Sequence, residues 1–341
     1  MQLKSNIAKY LGFVDLDNKN SVGIEVEIEA VDEFPPQDRL RYYWKHHMDG
    51  SLRGEYNAEY VLTRPMPMGT AFKALDKLQK ELGGYGTEII DSVRAGTHVH
   101  INVGDLTFLE MWTMVTCWYV LEELLTYTMC GEGRGGNHFC LRAKDADPIL
   151  NKASKALKTG DLRGLKGDDV RYSALNFVSL FKYGSLEFRA MRTPKNFEEI
   201  KEWVEVLMNL KLNSKMSPNP RHVIENFSFG GEEHFLETVL GKVYAGKVML
   251  RDPNWKAKMR DGVRLAQELG YAVDDWDKDY KEKRKPQPSM CPRGLMAPRL
   301  DIGVEPIEAV GLGHNRRGID HEKIVRFANL FGQVEVDIDD E

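Results

Sequence analysis

The sequence predicts an α+β fold, in which helices cover one face of an antiparallel β-sheet. Several short segments alternate aliphatic residues with charged or polar ones, a pattern typical of strands that bury only one face. Longer segments with apolar residues at helical spacing lie between and after these strands. Because aliphatic strand faces must be shielded from water, we expect the helices to pack against them.

The composition is that of a globular protein with material for a sizeable core. The 341 residues are 42% hydrophobic and 29% charged, which suits one large domain or two moderate ones. The net charge of −5 gives no reason to expect a nucleic-acid partner. The four cysteines form no Cys-x-x-Cys pair, and the chain shows neither an apolar signal core nor an apolar run long enough for a bilayer. These features predict a cytoplasmic protein without a membrane partner.

The first predicted strand carries acidic side chains. Residues 22–30, VGIEVEIEA, alternate strictly, so the aliphatic and the acidic residues face opposite sides. The acidic face has three members: Glu25, Glu27 and Glu29. A turn signature at Asp49 then precedes a second extended run over residues 55–63, one face of which holds Glu55 and Glu59.

A helix, a strand and a second helix follow. The pattern predicts a helix over residues 69–82, closed by Gly83-Gly84. Residues 97–103, THVHINV, alternate again. Their polar face has three members: His98, His100 and Asn102. The longest predicted helix begins at Thr107 with a capping box and runs to about Cys130.

A further strand pair is predicted after a glycine-rich segment at 131–136. One strand spans residues 172–183 and the other spans residues 185–190, with a tight glycine-containing turn between them. Glu187 and Arg189 are two residues apart and therefore lie on one face of the second strand.

The rest of the chain has a different character. Helical periodicity occurs in four segments: 198–212, 232–244, 255–269 and, as a short last helix, 320–331. A charged and proline-rich stretch at 277–293 predicts a linker or an arm. We therefore expect a sheet-containing core over residues 1–213, a helical extension over 214–276, and a charged arm with a short C-terminal helix over 277–341.

The acids that gather on the polar strand faces predict a site for divalent cations. Two carboxylates ~4 Å apart repel by about 4 kcal/mol at an effective dielectric constant near 20, so such a face binds cations, takes up protons or splays apart. Oxygen ligands together with an imidazole suit Mg²⁺ or Mn²⁺ better than structural zinc. Several such ions neutralise a nucleotide triphosphate during phosphoryl transfer, and Arg189 on the same face would hold the transferring phosphate.

Three further interpretations of this face stay open. Each strand taken alone is compatible with plain solvent exposure. The same histidines and acids would also serve a metal-dependent hydrolase, which activates a water. A binding or assembly protein that keeps the fold without turnover is the third. Because the sequence has no Gly-x-x-x-x-Gly-Lys-Ser/Thr loop, metals and the sheet would have to hold any nucleotide.

Five motifs occur in an order that resembles a known protein family. They are Val22-Gly-Ile-Glu-Val-Glu-Ile-Glu, Asp49-Gly-Ser-Leu, Ala58-Glu-Tyr-Val-Leu-Thr-Arg-Pro, Ala95-Gly-Thr-His-Val-His-Ile-Asn and Gly184-Ser-Leu-Glu-Phe-Arg. Together, over roughly residues 20–210, they resemble the amidoligases of the carboxylate–amine ligase superfamily, which includes glutamine synthetase and glutamate–cysteine ligase. Residues 214–341 match no part of this pattern.

The resemblance implies a glutamine synthetase-like catalytic fold over residues 1–213. Its sheet would be antiparallel and curved, with helices on the outer face and with ATP and Mg²⁺ or Mn²⁺ on the concave face. It implies an ATP-dependent ligase that phosphorylates a small-molecule or peptide carboxylate, after which an amine displaces the phosphate. Because a neighbouring subunit completes the site in glutamine synthetase, a homo-oligomer is a further expectation.

The resemblance also assigns roles residue by residue. The implied metal ligands are six: Glu25, Glu27, Asp49, Glu59, His98 and Glu187. The implied nucleotide or phosphate contacts are four: Arg189, His100, Arg134 and Arg171. The residues expected to act in catalysis are three: Arg189, Glu27 and His100.

Several individual residues have a second possible role. Glu55 competes with Glu59 as the ligand from the second extended run, and Asp49 could serve only as a turn residue. Glu29 could be solvated at the strand end, and Arg134 could cap the preceding helix. A zinc site would have three candidate ligands, whose spacing is poor and which lack a fourth: Cys130, His138 and Cys140. Two further histidines are expected to be ordinary surface residues: His46 and His47.

Overall fold

The structure is a computed structural model that describes residues 5–13, 20–131, 133–167 and 171–283. Within these ranges the chain forms seven strands: β1 (Ser21–Ala30), β2 (Trp44–His47), β3 (Tyr56–Leu62), β4 (Met66–Pro67), β5 (Gly96–Asn102), β6 (Leu175–Asn176) and β7 (Ser185–Arg192). It also forms nine α-helices: α1 (Ile7–Leu11), α2 (Met68–Tyr85), α3 (Phe108–Thr128), α4 (Asp147–Thr159), α5 (Val178–Tyr183), α6 (Glu198–Met216), α7 (Pro220–Leu240), α8 (Lys242–Arg251) and α9 (Trp255–Lys283).

The strands build one open sheet with antiparallel pairing throughout. Its order is β2-β3-β1-β5-β7-β6, and the short β4 pairs with the start of β1 beside β3. The predicted α+β class with an antiparallel sheet is therefore confirmed. This order places β1, β5 and β7 side by side in the middle of the sheet, and these are the strands whose polar faces carry the acids and histidines.

The aliphatic strand faces are buried beneath helices, as the alternation predicts. Four side chains of β1 are at most 1% exposed: Val22, Ile24, Val26 and Ile28. Helix α3 lies against this face, and the Trp118 ring packs edge-on against Phe188 of β7, with ring centroids 4.9 Å apart. Because α6 and α9 also contact α3, this helix is buried on nearly all sides. The predicted capping box between Thr107 and Glu110 is present.

Two predictions about the helices are wrong: where the helix predicted over residues 69–82 ends, and which helix is the longest. Helix α2 continues through Gly83-Gly84 and ends at Gly86, which has a left-handed backbone with φ 83°. A glycine inside a helix costs only about 1 kcal/mol, and the burial of Leu78 and Leu82 on the same helix offsets that cost. The longest described helix is α9, with 29 residues, rather than α3, with 21 residues.

The strand predicted over residues 172–183 is also wrong. Of this segment only the two residues of β6 form a strand, which does pair with β7, and residues 178–183 form helix α5 instead. The Asn176 side chain accepts a hydrogen bond from the Val178 amide at 2.8 Å, which turns the chain out of the extended conformation. Gly184, with φ 65°, then ends the helix, so the turn before β7 is a helix cap rather than a tight hairpin.

Helices make up most of the described chain after β7. The segment predicted as one helix over 232–244 is divided, because Gly241 (φ 81°) separates α7 from α8. Helix α9 approaches α3 so closely that a Cβ at Gly262 would lie 2.1 Å from the Val120 carbonyl oxygen. It also extends through the first charged residues after 276, to Lys283. The rest of the arm and the predicted helix at 320–331 lie outside the described residues, and the three-part division of the chain stays a prediction.

The described helices differ from a membrane-spanning segment. None of them combines the length and the apolar character that a membrane-crossing helix requires.

Candidate functional site

The candidate site lies on the polar face of the sheet, where β3, β1, β5 and β7 run side by side. Antiparallel pairing places Glu25 opposite His98, and it places His100 opposite Glu187. On the other side of β1, Glu27 lies opposite Glu59. Directly paired residues share a face and lie close together, so the register itself assembles the polar cluster.

One group of three candidate ligands consists of Glu25, His100 and Glu187. One ligand atom from each of these residues lies within 4.8 Å of the other two. Glu187 is held in place because one carboxylate oxygen accepts hydrogen bonds from the Asn176 amide, at 2.7 Å, and from the Ser179 hydroxyl. Its other oxygen pairs with the Arg189 guanidinium. The group is therefore preorganised by its neighbours.

A second group of three consists of Glu27, Asp49 and Glu59, whose ligand oxygens also lie within 4.8 Å of one another. Glu27 is positioned by the Gly96 amide, which donates to its carboxylate at 2.7 Å. Asp49 accepts a hydrogen bond from the Ser51 amide, so it is a turn residue as well as a member of the group. Of the two acids in the second extended run, Glu59 joins the group, whereas Glu55 is exposed and outside it.

His98 lies between the two groups. Its Nδ1 atom is 3.2 Å from a Glu25 oxygen, and its Nε2 atom is 3.5 Å from a Glu27 oxygen. The same Nδ1 atom is 3.9 Å from Glu187. A single imidazole thus contacts acids from both groups, and it stands where it can serve either of them.

The carboxylates of the cluster are stabilised by positive charge on neighbouring side chains. Burial by itself raises the pKa of the Glu25 carboxyl, but the neighbouring His100 and His98 imidazoles outweigh burial and hold that pKa well below its usual range. Burial likewise raises the pKa of Glu187, while the nearby Arg189 and His100 charges outweigh burial and lower it. Burial lowers the pKa of His100, yet the charges of Glu187 and Glu25 raise it overall. A divalent cation would stabilise these carboxylates in the same way.

One ring nitrogen of His100, Nε2, faces this cluster without a close hydrogen-bond partner. Its Nδ1 atom lies 3.3 Å from the Ser185 hydroxyl, and its Nε2 atom lies 3.5 Å from a Glu25 oxygen. That Nε2 atom is buried, and its contact with Glu25 is longer than a normal hydrogen bond. A buried nitrogen left unsatisfied beside two carboxylates suits a metal ligand, because coordination would satisfy it.

The three arginines of the implied site have different environments. Arg189 reaches Glu187 and lies 3.5 Å from His98, so it belongs to the cluster. Arg134 is 1% exposed, and its guanidinium donates to backbone carbonyls rather than facing the acids. Arg171 is exposed and stacks over Tyr172, and no hydrogen bond joins it to the cluster within the described ranges. The implied role of Arg134 and Arg171 as nucleotide contacts stays a prediction.

Some participants were not foreseen from the sequence. Asn176 and Ser179 hold Glu187 from a segment that was predicted to be an ordinary strand. His47 pairs directly with Glu59 and so lies on the same face, and it is exposed, as expected of a surface residue. A signal for His47 existed in its position two residues before Asp49, but the partner strand that brings it to Glu59 is set only by folding.

Burial decides the roles of Glu29 and of the two candidate zinc-binding cysteines. Glu29 is 5% exposed and accepts a hydrogen bond from the Arg53 amide at 2.7 Å, so it is not a solvated end residue. Burial raises the pKa of the Cys130 and Cys140 thiols, which opposes the thiolate form that zinc requires. Among the described residues, neither candidate metal group contains a cysteine.

Comparison with known proteins identifies a family. The family model described as "Putative amidoligase enzyme" matches residues 30–211, slightly more than half of the 341 residues. The matched range contains Asp49, Glu59, His98 and Glu187 and begins after Glu25 and Glu27. No curated protein matches the chain.

Proposed function

This chain belongs to the amidoligase family, and from that premise we propose that it joins a carboxylate to an amine at the expense of ATP. The observation that carries the proposal is the arrangement of two three-ligand groups on one sheet face with Arg189 beside them. In this proposal the open antiparallel sheet is the curved, glutamine synthetase-like catalytic sheet, and its polar face is the concave one.

The residues present fit a pair of hard divalent cations. Each group offers at least two carboxylates, and the first group adds the unsatisfied Nε2 atom of His100. Carboxylate oxygens with one imidazole are the donors that Mg²⁺ and Mn²⁺ take in proteins. Glu25, His100 and Glu187 would hold one ion, Glu27, Asp49 and Glu59 would hold the other, and His98 would serve whichever group it approaches. When bound, such ions neutralise the triphosphate and align it for transfer.

The reaction proceeds in two steps. A carboxylate oxygen of the substrate attacks the γ-phosphorus of ATP, the bond to the bridging oxygen breaks, and ADP leaves. The nitrogen of a neutral amine then attacks the acyl carbon, the bond to the phosphate oxygen breaks, and the amine loses one proton. The products are an amide, ADP and inorganic phosphate, which balances the atoms of the starting materials.

Arg189 has a distinct role in the first step. Its guanidinium is fixed against Glu187 and faces the cluster, and a fork of N–H donors is suited to a phosphoryl group. Charge spreads over the equatorial oxygens of that group during transfer, and a preorganised cation lowers the barrier at that point. His100, on the strand between Glu25 and Glu187, would contact the nucleotide or substrate when it is not ligating.

The test measures ATP-dependent condensation directly. Purified protein is supplied with ATP and Mg²⁺ or Mn²⁺ and with pools of amino acids, polyamines and peptides, and phosphate release and product mass are followed. We expect release that requires both an acid and an amine, and a product lighter than its two parts by one water. Glu27→Gln should abolish release, and Arg189→Ala should lower it by about 100- to 1,000-fold to a residual, measurable rate. Glu55→Gln, which removes an exposed acid outside both groups, should retain it.

Two results would overturn the proposal. Hydrolysis of an amide or phosphoester without nucleotide would identify a metal-dependent hydrolase on the same face. Binding of Mg²⁺ and ATP without phosphate release in any substrate pool would identify a binding or assembly protein.

A further inference from the structure

Strand β7 contains a β-bulge opposite His98. Thr97 of β5 pairs with Met191, whereas Val99 pairs with Phe188, so two steps along β5 match three steps along β7. The extra residue falls within Arg189-Ala190. A bulge of this kind re-aims side chains and interrupts the ladder of backbone hydrogen bonds.

The bulge decides which side chains of β7 reach the polar face. Glu187 and Arg189 face the acids, yet Met191 is 1% exposed and pairs with buried Thr97 on the opposite face. Strict alternation would have placed Met191 beside Arg189 on the polar face, because side chains two apart share a face. A one-residue slip exchanges the two faces of a strand, so the position of the bulge determines whether Arg189 points at Glu187.

The Arg134 side chain donates hydrogen bonds to the backbone carbonyls of the bulge. Its Nη2 atom donates to the Arg189 carbonyl at 2.7 Å, and its Nε atom donates to the Ala190 carbonyl at 2.8 Å. Its Nη1 atom donates to the Val93 carbonyl at 3.2 Å, which ties the bulge to the segment before β5. One buried side chain thus bonds both carbonyls of the bulge, and leaving either of them without a donor would cost free energy.

The sheet is shaped to admit this guanidinium. A Cβ at Gly96 would lie 3.1 Å from the Arg134 Nη2 atom, 3.2 Å from the His98 Nε2 atom and 3.4 Å from a Glu27 oxygen. Glycine at this position therefore lets Arg134 pass beside the acids without touching solvent. Each of its three nitrogens donates to a carbonyl, so the side chain is held by, and holds, the backbone around it.

We propose that Arg134 is a positioning residue that holds the β7 bulge in place and thereby aims Arg189 at the reacting phosphoryl group. The proposal rests on the proposed function, because it takes Arg189 to be the residue that acts on phosphate. Arg134 itself touches no substrate. Its contribution reaches the reaction through the backbone of residues 189 and 190.

The kinetic test is a double-mutant cycle on phosphate release. Lysine keeps the charge of Arg134 but cannot donate to three carbonyls in a fixed plane. We expect Arg134→Lys to lower kcat by about 10- to 100-fold with little change in KM, as is typical of residues that support a catalytic group from behind. In the Arg189→Ala background the same substitution should change kcat less than about 2-fold, because the group it positions is gone.

A matched control separates positioning from general stability. Arg142 is also a buried arginine, 4% exposed, but it pairs with Glu123 and Asp145 behind the sheet. Arg142→Lys should therefore leave kcat within about 2-fold of the wild type, whatever it does to the melting temperature. Equal losses for Arg134→Lys with and without Arg189 would mean a merely structural role and overturn the proposal.

A comparison of structures tests the proposal without measuring turnover. Crystal structures of the wild type and of Arg134→Lys should show the bulge displaced and the Arg189–Glu187 pair broken in the variant. An unchanged bulge and an unchanged pair would overturn the positioning role even if the enzyme is active. A displaced bulge in a protein that never releases phosphate would support the positioning role and count only against the proposed reaction.

Discussion

Neutralising Glu27 should strengthen the metal-free fold while removing its response to divalent cations. Glu27, Asp49 and Glu59 hold carboxylate oxygens within 4.8 Å of one another. At that separation and an effective dielectric constant of 20, each pair of unit charges repels by about 3 kcal/mol. Partial exposure of Asp49 and Glu59 screens this repulsion further, and the loss of the His98 contact, 3.5 Å away, opposes the gain.

The expected balance for Glu27→Gln is therefore a gain of about 1 kcal/mol in the free energy of unfolding without metal. The glutamine carbonyl still accepts the hydrogen bond from the Gly96 amide, so this anchor is retained. With a cation at 100 times its dissociation constant, binding stabilises the wild type by about 2.7 kcal/mol. The variant should gain less than about 1 kcal/mol, because it lacks one charged ligand.

Urea unfolding in EDTA and in Mg²⁺ or Mn²⁺ measures both quantities on the same protein. Glu55→Gln, which removes an exposed acid of the same type outside the group, should leave both quantities unchanged. The reasoning would be refuted if Glu27→Gln were less stable than the wild type in EDTA and responded equally to the cation. That result would mean that the three carboxylates neither repel one another nor share an ion.

Three further predictions concern other parts of the fold. Burial of Glu122 raises its pKa from 4.5 to about 7. Because the folded state holds this proton more tightly than the unfolded state, protonation stabilises the fold below pH 4.5. This stabilisation, about 3 kcal/mol in the free energy of unfolding, is lost as the pH rises through 7. Urea unfolding across this range should show that Glu122→Gln flattens the pH dependence, whereas an equal slope in the variant would assign it to other groups. Gly96→Ala should weaken Mn²⁺ binding by about 10-fold, since its Cβ crowds His98, Glu27 and Arg134; calorimetric titration giving wild-type affinity would show that the neighbours relax freely. Gly84→Ala, within α2 and with open space around the new Cβ, should instead raise stability by about 1 kcal/mol, and a lower melting temperature would contradict this.

The sequence alone determined the strands that carry the chemistry and the faces they present. Strict alternation is a local property, so Glu25 and Glu27, His98 and His100, and Glu187 and Arg189 could each be assigned to the polar face of a strand. The capping box at Thr107 was predictable for the same reason, because both of its hydrogen bonds span three residues. The order of five motifs carried the family resemblance, which the family model supports over residues 30–211.

Only the tertiary structure decided how these side chains meet. Glu27 and Glu59 are more than thirty residues apart in the sequence, and strand pairing places them opposite each other. The exposed Glu55 falls outside the group. The bulge at Arg189 receives two hydrogen bonds from Arg134, which lies 55 residues before Arg189 in the chain. Periodicity reports which face a side chain takes, but register and bulges follow from contacts between distant segments, and a local pattern contains no information about those.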